Sequence, residues 1–350
     1  MIDVRAFLND PQLELIALRD CPDSWGHVYQ NLPYRSVSYS PYSMKYQLAY
    51  HEGFGGRWQD VSCVLLSGGE PVGIWPLTAT YGPNYEGVTN LIHLSSQGNP
   101  VRQPLFLAKC PRSTAKKITK KCFNVATKIA SQAGMQSWKS MAVCDGIGAL
   151  PYWHRLSMAN GAQCETRHDL YVDLSQPTDE IKSQFRKRYR GIVNVGEREW
   201  DVNIISSPGC EKVWDEFRNL HAQVAGRVTR SRESWDIQHD MIAADCAFLI
   251  TLRDKGGQLV GGGFFVASDD EGSYAVGAYN RDLFDRPLGH AVQMHAIREL
   301  KGRGCKWYCL GERGYPGQTP KPTEKELNIS HFKEGFSTHV FPRFELTHTT

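Results

Sequence analysis

The sequence has no apolar run near the roughly 18 residues that a helix needs to cross a bilayer. Its first residues also lack the basic start and the apolar centre of a secretion signal. The ten cysteines form no Cys-x-x-Cys pair, and no His-Glu-x-x-His motif occurs, which argues against a zinc ribbon and a zinc-protease site. The sequence therefore predicts a cytoplasmic protein with free thiols and no bound metal.

An excess of either charge is also absent, because 40 lysines and arginines stand against 37 aspartates and glutamates, for a formal net charge of +3. This balance indicates a soluble protein in which any surface for an anionic partner is local. At 350 residues and 41% hydrophobic content, the chain is long enough for two hydrophobic cores. We therefore expect two domains.

A short pattern occurs twice along the chain. Residues 67–80, SGGEPVGIWPLTAT, and residues 255–268, KGGQLVGGGFFVAS, both place a Gly-Gly turn before a Val-Gly pair and an apolar strand. Each copy follows one apolar strand and precedes a third strand, a helix and a further strand. Two unrelated hairpins could share such a turn, but the repeated order of elements favours an internal duplication. The sequence thus predicts an α/β (α+β) fold with two similar domains, 1–172 and 173–336, each with a mixed sheet flanked by helices.

Charged side chains follow the last strand predicted in the second copy, 307–310. That strand ends at Gly311, and Glu312 and Arg313 open a Pro- and Gly-rich loop. Because catalytic side chains often lie on loops at the carboxyl ends of strands, this stretch is a candidate site, with residues 315–324 as a candidate lid. A plain surface loop is the alternative.

A lone lysine lies further along the same stretch. Lys333 stands between Phe332 and Phe336 in the segment HFKEGF. It is either a cation held at a site by aromatic neighbours or a solvated lysine whose neighbours fill the core.

The most basic segment of the chain opens the second half. Lys182, Arg186 and Arg190 are four residues apart, so a continuous helix from Asp179 places them on one face. They form either a clamp for phosphates or a solvated face. Arg227 lies on a later arginine-rich loop.

An Arg-x-x-Gly-x-Ala pattern occurs where a strand precedes a helix. Arg286, Gly289 and Ala291 form it. A glycine at a helix start lets backbone N–H groups approach a phosphate, which the helix dipole also favours. The alternative is an ordinary helix start with Pro287 in its first turn.

These features resemble the FemAB-like (Fem-type) acyltransferases, which consist of two domains of the GNAT (acetyltransferase) fold. The resemblance rests on the doubled strand and helix unit, the basic FRKRYR segment and the closing FKEGFS, and it is strongest over residues 179–341. It implies transfer of an acyl or aminoacyl group to an amine, often on a peptidoglycan precursor or a surface-glycan intermediate. It implies acyl-CoA or aminoacyl-tRNA as the donor, and a C-terminal strand, 337–350, that returns to the first domain.

The resemblance also implies roles for individual residues. Lys333, with Phe332 before it, matches the reaction centre, and Lys45 matches a lysine that contacts the acceptor. Arg286, Gly289 and Ala291 match the pyrophosphate loop of acyl-CoA-dependent acetyltransferases. The side chains expected around the substrate are Lys45, Arg186, Tyr189, Arg190, Arg227, Tyr279 and Arg313. The helical hairpin that some Fem proteins use for tRNA is missing from the second half, which argues against aminoacyl-tRNA.

Aminolysis of an ester or thioester needs a neutral amine held against the carbonyl and a cation or N–H groups for the oxyanion. Lys333 is the expected cation, with backbone N–H groups near Val266 as a second possibility, and Glu312, or else His331 or His290, is the expected base. We expect a cytoplasmic N-acyltransferase that uses acyl-CoA and acts on a nucleotide- or lipid-linked sugar or peptide precursor. The alternatives are an aminoacyl-tRNA-dependent transferase and a non-catalytic pair of domains that binds a nucleotide sugar or RNA.

Overall fold

The computed structural model describes residues 13–53, 57–83, 89–143 and 150–350. The chain divides into two compact units. Unit 1 comprises Met1–Arg35, Tyr39–Arg167 and Pro342–Thr350, and unit 2 comprises Ser36–Ser38 and His168–Phe341. The boundary therefore lies slightly before the expected 172/173, and the chain re-enters unit 1 at Pro342.

Unit 1 contains most of the short strands of the chain. Its described elements are β1 (Leu15–Ala17), α1 (Pro22–Gln30), α2 (Pro41–Glu52), β2 (Arg57–Asp60), β3 (Cys63–Ser67), β4 (Glu70–Trp75), β5 (Thr78–Pro83), β6 (Thr89–Ser95), β7 (Val101–Arg102), β8 (Leu105–Phe106), α3 (Arg112–Gln132), β9 (Ser137–Val143) and α4 (Tyr152–Ala159).

The strands of unit 1 form several small groups. One sheet has the order β1-β3-β4-β8 and another has the order β2-β5-β6. The one apolar strand expected within residues 67–80 is wrong, because the chain breaks at Pro76 and the two parts, β4 and β5, join different sheets. A proline has no N–H for the ladder, which is why a strand ends there. Strand β9 pairs in parallel with β7 and antiparallel with Arg343–Thr349.

Helix α3 has the amphipathic pattern that its sequence indicates. Ile118, Cys122, Val125 and Ile129 are buried in the core of unit 1, and the lysines between them lie off this stripe. The helix stops at Ala133, and Gly134 follows with a φ of 66°.

Unit 2 is built on longer strands. Its elements are β10 (Gln163–Asp173), α5 (Thr178–Gln184), α6 (Lys187–Glu199), β11 (Asp201–Ile205), α7 (Glu211–Ala225), α8 (Arg232–Ala243), β12 (Ala247–Arg253), β13 (Leu259–Ala267), β14 (Glu271–Tyr279), α9 (Leu288–Gly302), β15 (Trp307–Glu312), α10 (Glu324–Glu334) and β16 (His339–Thr349), of which β10 begins and β16 ends in unit 1.

The sheet of unit 2 has the order β11-β12-β13-β14-β15-β10. Its neighbouring strands are antiparallel except for β14 and β15, which are parallel because α9 connects them. Helix α9 buries Leu288, Val292, Ile297 and Leu300 against the sheet, so its nearly continuous apolar surface lies in the core.

The continuous basic helix predicted from Asp179 is wrong. Helix α5 ends at Gln184, Phe185 has an extended backbone with a ψ of 151°, and α6 starts at Lys187. Lys182, Arg186 and Arg190 therefore do not share one helical face. Phe185 is buried against Phe336, so tertiary packing interrupts the helix.

No helix within the described ranges combines the length and the apolarity that a membrane crossing requires.

Candidate active site

Lys333 lies in the last turn of α10 and not on a loop. The helix begins with a capping box, in which the Thr323 hydroxyl accepts a hydrogen bond from the Glu326 N–H and the Glu326 carboxylate accepts one from the Thr323 N–H. Such a start fixes the register of the helix. Lys333 therefore has a defined position at the end of α10, beside β15.

The Lys333 ammonium lies over an aromatic ring and has no carboxylate beside it. Its Nζ is 5.1 Å from the centroid of the Tyr274 ring. Within the described ranges, no hydrogen bond or ion pair joins Nζ to another group. Burial lowers the pKa of Lys333, and the neighbouring Cys309 opposes this shift. A cation with so few partners is available to a ligand.

Because Gly311 has no side chain, there is room beside it for the Lys333 ammonium. Its φ is 108°, and a Cβ placed on it would lie 3.0 Å from Lys333 Nζ. A side chain at this position would meet both the strain of a positive φ and the amine.

Strands β14 and β15 separate beside Lys333. Glu271, Gly272 and Ser273 pair with Trp307, Tyr308 and Cys309, and beyond these pairs the two parallel strands have no common register. The backbone near Val266, expected as a second possible source of oxyanion donors, is paired on both sides, since Val266 pairs with Ala247 and with Ser273. The separation of β14 from β15 leaves backbone groups of each strand unpaired with the other.

An aromatic cluster supports the end of α10. The Phe332 ring lies 5.8 Å from Tyr189, 5.1 Å from His290 and 5.2 Å from Phe336, measured between ring centroids. A Cβ on Gly335 would collide with the Tyr189 ring, so this glycine allows α10 and α6 to approach. Phe332 and Tyr189, both expected at the site, thus act here by packing.

His290 is a neutral imidazole within this cluster. Burial, helped by the charge of Arg188, lowers its pKa to about 4. Its ring packs edge-on against Tyr189 at 4.5 Å, and its buried Nε2 has no hydrogen-bond partner. A histidine with such a pKa is a weak base at neutral pH.

Two of the arginines expected at the site meet at one carboxylate. Arg313 Nε lies 3.1 Å from Glu334 Oε2, and Arg186 Nη2 lies 3.9 Å from the same oxygen. His331 Nδ1 is 3.3 Å from it, and Arg186 also donates a hydrogen bond to the His331 carbonyl. The Glu334 carboxylate, which follows Lys333 in the sequence, thus holds the two guanidinium groups and the imidazole together.

Glu312 is exposed at the end of β15. Its carboxylate accepts a 3.5 Å hydrogen bond from Gln318 Nε2, and no ion pair joins it to Lys333. Residues 315–324, expected as a lid, are mostly exposed and lead from β15 to the start of α10. A base role for Glu312 and a moving lid stay predictions.

The start of α9 is covered by other parts of unit 2. Arg286 forms an ion pair with Glu199, and its guanidinium lies 4.4 Å from the Trp200 ring centroid. A Cβ on Gly289 would lie 2.9 Å from the Phe332 ring. Ala291 is fully buried, and a Cβ on Gly196 of α6 would lie 3.1 Å from its side chain. The three residues of the predicted pyrophosphate loop are therefore engaged with other parts of unit 2, while Arg286 also lines a cavity of about 370 Å³.

The remaining side chains expected at the site have the following surroundings. Tyr279 shares a 3.0 Å hydrogen bond with the Tyr274 hydroxyl. Arg190 is exposed and donates a hydrogen bond to the Phe185 carbonyl, and Arg227 is exposed after α7. Lys45 is exposed on α2 of unit 1. The described residues contain no group of three or more metal-ligating side chains.

The sequence did not single out Tyr274, Gly311 or Glu334. Tyr274 lies on a predicted strand, and nothing in the local sequence distinguishes it from a core tyrosine. The capping box at Thr323 is the signal that predicts α10 and, with it, the position of Lys333 and Glu334.

Comparison with known proteins identifies the fold that carries these residues. Residues 182–319 match the family model of the acetyltransferase (GNAT) domain. The chain is similar to the crystal structure of FemX, with a TM-score of 0.66 and 12% identity over 96% of this chain and 97% of that one. It is also similar to the C-terminal domain (DUF2156) of a putative lysylphosphatidylglycerol synthetase from Agrobacterium fabrum, with a TM-score of 0.58 and 12% identity over 93% of this chain and 90% of that one. No curated protein matches the sequence.

These likenesses confirm the fold class expected from the sequence, a mixed α/β fold with two GNAT-like domains. The strand separation at Lys333 lies within this framework.

Proposed function

We propose that this chain, an N-acyltransferase of the two-domain, Fem-like GNAT type, transfers an acyl or aminoacyl group to an amine of a nucleotide- or lipid-linked cell-envelope precursor. One observation carries the proposal: the Lys333 ammonium lies where β14 and β15 separate, and no carboxylate in the described part of the chain forms an ion pair with it. A site with this geometry suits a reaction that develops negative charge on a carbonyl oxygen.

The reaction would be an aminolysis. The amine nitrogen attacks the carbonyl carbon of an ester or thioester, a C–N bond forms, and the bond to the leaving oxygen or sulfur breaks. Negative charge develops on the carbonyl oxygen between these steps. A fixed cation in a partly desolvated site stabilises this charge more strongly than water does, because the protein does not need to reorganise.

Lys333 is proposed to supply that cation, and the ring of Phe332 to fix the helix end that carries it. The proton of the attacking amine has to leave, and Glu312 is the proposed acceptor through a water molecule, since its exposed carboxylate follows Gly311 directly. His290 is less suited, because its pKa of about 4 makes it a poor acceptor at neutral pH.

The acceptor is proposed to carry a phosphate or diphosphate. Arg186 and Arg313 converge on Glu334 beside Lys333, and paired guanidinium groups bind phosphate oxygens well. A phosphate would compete with Glu334 for these groups. Substitution of Arg186 is expected to raise the KM for the acceptor more than it lowers kcat.

The proposed donor is an activated ester or thioester. The residues at the start of α9 help to choose between the two candidates, acyl-CoA and aminoacyl-tRNA. Two of the residues expected to bind the pyrophosphate of acyl-CoA are engaged elsewhere in the fold, since Arg286 is paired with Glu199 and the Phe332 ring packs against Gly289. This observation favours aminoacyl-tRNA over acyl-CoA, in spite of the missing helical hairpin. No step of the proposed reaction depends on the start of α9.

The cell-envelope setting rests on the neighbours in fold. FemX and the putative lysylphosphatidylglycerol synthetase domain have this architecture. We propose a cytoplasmic reaction on a precursor of this kind.

The test combines binding with turnover. Calorimetry with acetyl-CoA and filter binding with a mixture of charged tRNAs identify the donor class, and mass spectrometry detects the amide formed on nucleotide-linked or lipid-linked amine acceptors. We expect binding of charged tRNA and an amide product that Lys333→Met does not form. Steeply salt-dependent RNA binding with no product from any donor would instead favour the non-catalytic alternative.

A further inference from the structure

Lys333 lacks the anionic partner that a partly buried lysine usually has. The carboxylate next in sequence, Glu334, is engaged with Arg186, Arg313 and His331. Cys309 lies close by, but burial raises the pKa of its thiol to about 12, so it is neutral at ordinary pH. Another feature must keep the ammonium in place.

The ring of Tyr274 is the group in contact with the ammonium. A distance of 5.1 Å from Nζ to the ring centroid is within the range of about 6 Å in which an ammonium is attracted to an aromatic face. Burial raises the pKa of the Tyr274 hydroxyl to about 12, against the effect of its hydrogen bond to Tyr279. The tyrosine is thus neutral, and its attraction for the cation comes from the ring and not from a phenolate.

The position of the Tyr274 ring is fixed from several sides. Strand β14 has a bulge at Ala275, because Phe264 and Phe265 of β13 face Val276 and Tyr274. A bulge redirects the neighbouring side chain. The Phe265 ring stacks on Tyr274 at 5.2 Å, and the hydroxyl of Tyr274 binds that of Tyr279.

Glycine provides the room for this arrangement. A Cβ on Gly277 would collide with the Tyr274 hydroxyl, and a Cβ on Gly311 would crowd Lys333 Nζ. The two glycines, one on each separating strand, leave room for the ring and for the ammonium.

We infer that Tyr274 is a positioning residue for Lys333: the face of its ring holds the ammonium at the separation of β14 and β15, in place of a carboxylate. The catalytic meaning of this inference rests on the proposed function. A ring attracts the ammonium without neutralising its charge, so the charge stays available to a developing oxyanion, which a carboxylate would prevent.

The inference is tested by the reactivity of Lys333 and needs no substrate. The intact protein is labelled with N-hydroxysuccinimidyl acetate over a pH series from neutral to alkaline, and mass spectrometry follows Lys333, with the exposed Lys325 of the same helix as internal reference. Only a neutral amine reacts, so the midpoint reports the charge of Lys333 and the alkaline plateau reports its accessibility. The proteins compared are the wild type, Tyr274→Phe, Tyr274→Met and Tyr274→Leu.

Removal of the ring destabilises the charged form, so the Met and Leu variants are expected to label Lys333 about threefold to thirtyfold faster at neutral pH, with a lower midpoint. Tyr274→Phe keeps the ring and is expected to keep the midpoint of the wild type. An unchanged midpoint in both ringless variants would overturn the inference, and so would a Phe variant that behaves like them, since the hydroxyl would then be responsible.

A second measurement uses only the wild-type protein, so it tests the inference even if the Tyr274 variants do not fold. Reductive methylation with ¹³C-formaldehyde places methyl groups on Lys333, and the ring current of Tyr274 should move their NMR signal upfield of that of Lys325. Coincident signals would contradict the inference. Both readouts are independent of turnover, so a failed transfer assay with normal labelling overturns the proposed function alone.

Discussion

Lys333 at the end of α10 and Arg286 before α9 are two cations of unit 2 that differ in what surrounds the charge. Each has a glycine nearby: Gly311 lies beside the Lys333 ammonium, and Gly289 follows Arg286 by three residues. Lys333 Nζ contacts a neutral ring beside Gly311. Arg286 is paired with Glu199 and lies over Trp200, while Phe332 covers Gly289. A similar pattern of residue types thus gives one cation available to a ligand and one used within the fold.

The difference shows that a phosphate-binding motif also needs surroundings that leave its residues available to a ligand. The dipole of α9 favours an anion at its start, but there Arg286 is paired with Glu199 of α6 and the Phe332 ring of α10 packs against Gly289. The same two elements hold the aromatic cluster that supports Lys333. The contacts that engage the start of α9 therefore also support the end of α10, where Lys333 lies.

The largest expected effect is a difference in acyl-transfer rate between variants of Lys333 and variants of Arg286. Lys333→Met is expected to lower the single-turnover rate of acyl transfer about 100-fold to 1000-fold, the usual cost of losing an oxyanion-stabilising group. Arg286→Met is expected to leave this rate within about threefold, because its charge is neutralised by an exposed ion pair. Rapid-quench assays compare the rates, with Lys325→Met as a matched control on α10. Equal losses in the Lys333 and Arg286 variants would erase the distinction.

The aromatic cluster between the two cations predicts an acid-sensitive fold. His290 has a folded pKa of about 4, below the ordinary value of 6.5, so it contributes stability that is present above pH 6.5 and lost as the pH falls toward 4. His290→Phe is expected to remove up to about 3 kcal/mol of the loss in unfolding free energy over this range. Urea titrations of both proteins measure it. Identical pH profiles would show that His290 does not cause the acid sensitivity.

A smaller effect tests whether the start of α9 serves packing or donor binding. Gly289→Ala places a methyl group 2.9 Å from the Phe332 ring, which is expected to cost about 1 to 2 kcal/mol of unfolding free energy. Donor affinity should not change, since no phosphate is expected there. Thermal melts and donor titrations give the two values. Weaker donor binding at unchanged stability would mean that Gly289 does approach a phosphate.

The parts of the fold with clear periodicity could be predicted from the sequence. Helix α3 buries one apolar stripe, and strands β12 and β13 are buried along almost their whole length, so each follows its apolar pattern. Helix α10 could not be predicted in this way, because its apolar residues show only weak helical periodicity. Ser330 is its one buried residue among the described ones. The break at Phe185 has no proline or glycine signal and depends on packing against Phe336.

The site could be predicted in part. The position of Lys333 between aromatic residues singled it out, and its place on α10 beside Tyr274 required the structure. Whether a cation has a partner depends on residues far away in sequence, as Glu199 is from Arg286. Local patterns do not contain that information.

The pH dependence of a single turnover tests the role of Lys333 most directly. Burial lowers the pKa of Lys333, so a reaction that needs its charge should lose rate on the alkaline side at a lower pH than an ordinary lysine allows. In Lys333→Arg, whose side chain stays charged, the alkaline loss should disappear while a reduced rate remains. An alkaline limb that is the same in the wild type and in Lys333→Arg would contradict the account.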